Sequence, residues 1–352
     1  MVSHKSSERI KSIIKGLSRF GEDLRAFVDP NISKDAKNQN LQQAIENSRT
    51  HNAWFTHENT LTALVAWGNL LQHDHLQSWL SEYQLDKNFD AAVGIVMAGN
   101  LPLVGFHDLL CVLISGHRAS IKMSSKDRFL IPELLNMMTN HLPEWNNKVS
   151  ICDDQLKGYD KVIATGSNNS SRYFEYYFRK VPHLLRKNRT SLAVLTGNES
   201  QQELNGLVKD ISLYFGLGCR SVSKILIPKG YDFDILFNAL YDVKDLIHHH
   251  SYANNYDYNR AVFLMSEDNI LDNGFILVKQ DDRLSSPIGC LYFDYYKDVE
   301  DVHSYVTKRS SEIQCIVSHM DGLESVAFGT AQFPKLDDYA DRVDTLSFLL
   351  KK

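Results

Sequence analysis

The chain has 352 residues, 43% hydrophobic and 23% charged, with 38 basic against 43 acidic side chains and a net charge of −5. That composition excludes a disordered or fibrous protein, and the length suits two domains that each bury a core. The mild acidity gives no electrostatic basis for binding nucleic acid, so no nucleic-acid partner is expected. Five cysteines (Cys111, Cys152, Cys219, Cys290, Cys315) contain no C-x-x-C pair, which argues against a disulfide framework, a zinc knuckle or a dithiol couple. The first residues lack an apolar h-region, so a signal peptide is not expected. The least polar stretch, 91–117, is interrupted by Asp108 and several glycines and is too broken for a membrane span. A cytoplasmic protein in a reducing compartment is the expectation.

Residues 4–85 read as helical. Ile10, Ile13, Ile14, Leu17, Phe20 and Leu24 form a stripe near the 3.6 period, and 60–80 forms another, with a turn at Asp29-Pro30-Asn31. At Ala91 the pattern changes: AAVGIVMAGN reads as a strand running into a loop. PLVGFHDLLCVLISG follows as a helix with Pro102 in its first turn and Gly116 near its end. ASIKMS is the next strand, 126–142 the next helix. KVSICD and DKVIATGS are further strands, SRYFEYYFRKV a helix and SLAVLTG a strand. After the helix 201–215 comes Gly216-Leu217-Gly218-Cys219-Arg220, then the strand VSKILIP. This alternation predicts an α/β fold with doubly wound parallel sheets.

Four strand ends carry candidate chemistry. Cys219 sits between glycines and a strand, where loop amides can stabilise an oxyanion and Arg220 favours the thiolate; the plain alternative is a small buried hydrophobe. Asn100, in AGNLP, stands where parallel sheets bind ligands and can donate to an oxyanion; alternatively it is the N-cap of a helix beginning at Pro102. Lys122 can bind phosphate or ribose, or be a solvated charge. Thr165-Gly166-Ser167 suits a pyrophosphate at a helix N-terminus, although such turns are common. No G-x-G-x-x-G follows a strand. His73, His75 and the run His248-His249-His250 lack the spacing of metal ligands, so no metal site is assigned. The Tyr- and Asn-dense segment 252–264 lines either a site or a domain contact.

In that order, Asn100, Lys122, Thr165-Gly166-Ser167 and Cys219 resemble the aldehyde dehydrogenase superfamily, specifically its LuxC-type fatty acyl-CoA reductase branch. The segments that carry the resemblance are GNLPLVGFHDLL, ASIKMSS, ATGS, SLAVLTGNES, FGLGCRSVSKILIP, YANNYDYN and FGTAQFPKLDDYADRVDTLSFLL. The resemblance implies a helical N-terminal part of the cofactor domain over 1–90 and a nucleotide-binding α/β domain over 91–197. A catalytic α/β domain over 198–338 and a C-terminal return or oligomerisation segment over 339–352 complete the plan. The apolar VDTLSFLL is suited to the added strand through which the superfamily pairs subunits, which would give a homodimer.

Carried over position by position, Cys219 corresponds to the nucleophile that forms an acyl-enzyme thioester, and Asn100 to the side-chain half of the oxyanion hole. Lys122 corresponds to the lysine that contacts the adenosine ribose or its 2′-phosphate. Thr165, Gly166 and Ser167 correspond to the turn at the cofactor pyrophosphate. Two departures stand out: Val194 falls where an L-E-L-G-G segment has its general-base glutamate, and Arg283 falls where E-x-F-G-P has its own. Without a base to activate water, reduction of an incoming thioester is favoured over oxidation of an aldehyde.

The expected activity is reduction of a fatty acyl thioester, acyl-CoA or one presented by an acyl-donor protein, to the aldehyde with NADPH. Two rivals use the same residues differently. One is acyl transfer through Cys219 without cofactor, and the other is a catalytically silent member acting as a binding partner.

Overall fold

The computed structural model describes residues 8–29, 31, 37–85, 89–152, 155–166 and 168–351. Pro30 and Ser167 lie outside the described residues. The chain divides into two compact units, 1–187 with 335–352, and 188–334.

The first unit opens with four helices. Helix α1 (Glu8–Val28) buries one stripe that includes Ile10, Ile13, Leu17, Phe20 and Leu24. Helices α2 (Lys37–His51), α3 (His57–Leu70) and α4 (His73–Ser81) follow, α3 being capped by Thr56, whose hydroxyl accepts from the Asn59 N–H at 3.2 Å. Strands β1 (Ala92–Val96), β2 (Arg118–Lys122), β3 (Val149–Cys152), β4 (Lys161–Thr165) and β5 (His183–Arg186) form one parallel sheet in the order β3-β2-β1-β4-β5. The order reverses direction between β1 and β4. The connecting helices are α5 (Phe106–Ser115), α6 (Leu130–His141) and α7 (Asn168–Phe178). Helix α5 is apolar on all sides and is buried along its length except at His107.

Arg186 and Asp108 form a buried ion pair in this unit. Arg186, at the end of β5, forks onto Asp108 of α5 through Nε–Oδ2 at 3.1 Å and Nη2–Oδ1 at 2.6 Å. It also donates to Ala340 O at 2.6 Å and Thr345 Oγ1 at 2.8 Å. Burial by itself would raise the Asp108 pKa, but the guanidinium outweighs it and holds the carboxyl below its ordinary value.

The C-terminal segment is helix α12 (Thr345–Leu350), which corrects the expectation of an added strand. Asp344 caps it by accepting from the Ser347 N–H at 2.8 Å, and Leu346 and Leu349, three apart, are fully buried in the first unit. Its terminal carbonyls are satisfied by Lys161, which donates to Leu349 O at 2.9 Å and to Lys351 O, and by His117 Nε2 at 3.0 Å from Leu349 O.

The second unit carries β6 (Thr190–Val194), β7 (Val222–Pro228), β8 (Ile270–Asp272), β9 (Leu277–Gln280), β10 (Cys290–Tyr296) and β11 (Ile313–Val317). Their order is β11-β6-β7-β10-β9-β8, parallel except for the β8–β9 hairpin. Strand β6 lies inside this sheet, so the second unit begins at Asn188 and not after the expected boundary at residue 197. Helices α8 (Gln201–Ser212), α9 (Phe233–Leu240), α10 (His250–Met265) and α11 (Val299–Lys308) pack around the sheet. One core contains Leu207, Ile225, Ile227, Leu236 and Leu291, and a separate one contains Leu192, Val194, Leu226 and Val302. The expected doubly wound α/β architecture is present in both units. No helix among the described residues is long and apolar enough to cross a membrane.

Candidate functional site

In the first unit, register places three strand ends side by side. Val96 of β1 pairs with Lys122 of β2 and with Ala164 of β4, so Lys122, the loop after β1 and Thr165-Gly166 share the C-terminal edge of the sheet. That edge includes the β1/β4 switch point, where open parallel sheets bind ligands because the following loops diverge.

The loop 97–105 is held from below. Met97 N donates to Lys122 O at 3.0 Å, and Asn52 Nδ2 donates to Gly99 O at 3.2 Å. Asp127 accepts from the backbone at Leu103 and Leu130; burial pushes its carboxyl up to about 6 against these two bonds. Leu103 takes a left-handed φ of 64°, so the loop makes an extra turn before α5 begins. The N-cap of α5 is Gly105. Asn100 is therefore five residues from the cap position, and it is exposed. Its reading as the N-cap of α5 is excluded, and it lies in the loop that follows β1 at the C-terminal edge of the sheet.

Gly166 is required by packing. A Cβ there would lie 2.7 Å from the Phe174 ring and 2.9 Å from Ser170 Cβ, so its absence lets α7 close onto the end of β4. Lys122 and Thr165 are half-buried at the same edge.

In the second unit, Cys219 sits on a tight turn at the N-terminal end of β7. Ser221 N donates to Gly218 O at 3.0 Å, and Gly218 N donates to Ser221 Oγ at 3.2 Å. The turn is pinned from two sides: Ser191 Oγ of β6 donates to Cys219 O at 3.0 Å, and Gln332 Nε2 donates to Ser221 Oγ at 2.9 Å. Of the five cysteines Cys219 is the exposed one, whereas Cys111, Cys290 and Cys315 are buried and Cys152 is half-buried. Burial pushes the Cys290 thiol up to about 12 and the Cys111 thiol well above its ordinary value, so neither is a thiolate near neutrality.

The segment that leads into the turn is strained. Tyr214 (φ 55°), Phe215 (φ 58°) and Gly216 (φ 75°) are consecutive left-handed residues, and the first two carry bulky side chains. Phe215 lies against the His249 ring at 4.3 Å between centroids.

Val194 is fully buried in the sheet. The resemblance places Val194 where the superfamily has its general-base glutamate, and no carboxylate stands at this point of β6. Arg283 is exposed, with its guanidinium on Asp281 at 2.5 Å and donating to Tyr292 OH at 2.9 Å. Segment 252–264 belongs to α10: Tyr252 OH donates to Phe275 O at 3.0 Å, and Asn259 donates to Ile288 O at 3.0 Å. Among the described residues no group of three or more His, Cys, Asp or Glu is placed to hold a metal.

Sequence reasoning missed the supports: Ser191, Gln332, Asn52 and Asp127. A serine inside the apolar run SLAVL was the available signal for Ser191, since a buried hydroxyl needs a partner.

Comparison with known proteins follows the same lines. The family model described as acyl-CoA reductase (LuxC) matches residues 6–236. No curated protein sequence matches. The fold is similar to that of a putative aldehyde dehydrogenase from Burkholderia cenocepacia (TM-score 0.63, 12% identity, covering 90% of this chain and 75% of that one). It is also similar to the indole-3-acetaldehyde dehydrogenase of P. syringae, solved with NAD+ (TM-score 0.65, 11% identity, 93% and 75%). The NAD+ complex of a Mycobacterium tuberculosis aldehyde dehydrogenase gives a TM-score of 0.61 at 12% identity, covering 88% of this chain and 72% of that one. With more than half of its residues matched by the family model and an aldehyde dehydrogenase fold in both units, the chain belongs to the LuxC acyl-CoA reductase family.

Proposed function

We propose that the chain reduces a fatty acyl thioester, such as acyl-CoA, to the aldehyde, with Cys219 as the acyl-carrying nucleophile and NADPH as reductant. The observation that carries this reading is the exposed Cys219 thiol on a turn pinned by Ser191 and Gln332, in a member of an acyl-CoA reductase family. Cys219 Sγ attacks the thioester carbonyl; the new S–C bond replaces the bond to CoA, which leaves as thiolate. The family resemblance implies Asn100 as a donor to the developing oxyanion, and a donor of this kind is worth about 3–4 kcal/mol.

The first unit's C-terminal sheet edge supports the reading of a nicotinamide dinucleotide site there. The strand order switches direction between β1 and β4, Lys122 supplies a cation at that edge, and Gly166 lets α7 close onto β4. When bound, a reduced nicotinamide supplies the hydride that converts the acyl group to aldehyde. Lys122 is the residue proposed to favour NADPH over NADH, by pairing with the 2′-phosphate.

The test is NADPH oxidation followed by absorbance with dodecanoyl-CoA, for wild type, Cys219→Ala and Asn100→Ala. Wild type should turn over, Cys219→Ala should be inactive, and Asn100→Ala should be slower by about a hundredfold or more. Reduction that survives Cys219→Ala would overturn the mechanism, and no oxidation by wild type would overturn the reductase reading.

A further inference from the structure

Asp210 stands in the last turn of α8, where the helix macrodipole disfavours a negative charge, and it is 1% exposed. Burial pushes its carboxyl up to about 6. Against these costs stand two hydrogen bonds to a single loop. Oδ2 accepts from Gly329 N at 2.6 Å, and Oδ1 accepts from Ala331 N at 3.0 Å. A carboxylate can accept from both amides, whereas an amide of the same shape accepts from one and turns its NH2 against the other.

The same face of α8 makes room for that loop. Gly206 lies four residues before Asp210, and a Cβ there would be 2.7 Å from Phe328 C and 2.8 Å from Gly329 N. The loop is also closed on itself: Thr330 N donates to Ala327 O at 3.2 Å and Phe333 N to Thr330 O at 3.0 Å. Segment 327–333 is thus a folded piece seated on α8, and it carries Gln332.

Gln332 Nε2 donates to Ser221 Oγ at 2.9 Å, and the same Oγ accepts from Gly218 N at 3.2 Å. These bonds join α8 to the cysteine turn by a path outside the intervening main chain. That main chain passes through Tyr214, Phe215 and Gly216, all left-handed. Bulky residues persist in that conformation where the surroundings fix them, so the turn depends on support from outside its own segment.

We propose that Asp210 is a positioning residue for Cys219: it fixes the loop 329–332, the loop fixes Gln332, and Gln332 fixes the turn on which the thiol stands. The proposal rests on the reading of Cys219 as the acyl carrier, and Asp210 acts through the turn and not on the reacting atoms.

The test follows Cys219 in the folded protein. Wild type, Asp210→Asn, Gln332→Met and the double variant are alkylated with iodoacetamide, and the adduct is mapped to the Cys219 peptide by mass spectrometry. The same proteins are assayed with dodecanoyl-CoA and NADPH. Each single variant should shift the alkylation rate at Cys219 by about fivefold, in the same direction. Each should also lower kcat by about fivefold, with KM for NADPH within about twofold of wild type. The double variant should be no further from wild type than Gln332→Met, because both substitutions cut one chain of contacts. Asp210→Ser, whose smaller side chain leaves room for a water between the two amides, takes the place of Asp210→Asn if that variant does not fold. Alkylation at the wild-type rate in either single variant, or effects of the two substitutions that multiply, would overturn the proposal. The coupled alkylation pattern without reduction of any acyl-CoA would support the positioning role and refute the reductase reading instead.

Discussion

Arg186→Met is a direct test of how the first unit is held together. The side chains of Arg186 and Asp108 are only 5% and 7% exposed, and the guanidinium makes four hydrogen bonds, two to Asp108 and one each to Ala340 O and Thr345 Oγ1. Removing it leaves a buried carboxylate with Thr345 Oγ1 at 3.4 Å as a remaining partner. Breaking a buried pair from one side costs about 3–5 kcal/mol, whereas replacing both partners by apolar groups is close to neutral. Arg186→Met should therefore lose about 3–5 kcal/mol, and Asp108→Leu with Arg186→Met should recover most of it. All four tryptophans (Trp54, Trp67, Trp79, Trp145) lie in the first unit, so urea unfolding followed by tryptophan fluorescence reports on that unit. The single variant's deficit should be full at pH 7 and shrink toward pH 4, as the stranded carboxyl takes up a proton. A deficit below about 1 kcal/mol, or a double variant no better than the single one, would refute the picture of a desolvated pair.

Three further outcomes follow from the same structure. Asp127, raised to about 6 from 3.8 by burial, contributes stability that is full below pH 3.8 and is lost as pH rises through 6. The first unit should thus gain up to about 3 kcal/mol from this residue on acidification, and Asp127→Asn should flatten that slope in fluorescence-monitored unfolding. Ser191→Ala removes the bond to Cys219 O, at a stability cost of about 1 kcal/mol, but should change the rate at which iodoacetamide alkylates Cys219 in the folded protein. Gly206→Ala places a Cβ 2.7–2.8 Å from the Phe328–Gly329 backbone, and should lower the second unit's stability by about 1–3 kcal/mol in hydrogen exchange.

Much of the fold could be read from periodicity. The apolar runs around β1, β2, β4, β6 and β7 alternate with helical stripes, and burying both faces of a parallel sheet demands that pattern. Positions set by a turn were less legible. The helix after AGNLP begins at Phe106 because Leu103 adopts a left-handed conformation, which nothing in its side chain announces. Residues whose role depends on distant partners were hidden altogether. Lys224, in the strand VSKILIP, is fully buried: it donates to Asp281 O and Phe293 O, and burial lowers its pKa to about 8. The segment VDTLSFLL has the apolar content of a strand, but the Asp344 cap and the buried pair Leu346 and Leu349 make it a helix. For the candidate site, motif resemblance pointed to Asn100, Lys122 and Cys219, and register sets Lys122, Thr165-Gly166 and the loop that carries Asn100 at one sheet edge.

The central claim is that Cys219 carries the acyl group. Incubating wild-type protein with dodecanoyl-CoA in the absence of nicotinamide and mapping the adduct by peptide mass spectrometry tests it most directly. One dodecanoyl group on the peptide containing Cys219, released when NADPH is added and absent from Cys219→Ala, is the predicted result. Acylation at another residue, or none while NADPH-dependent reduction proceeds, would contradict it.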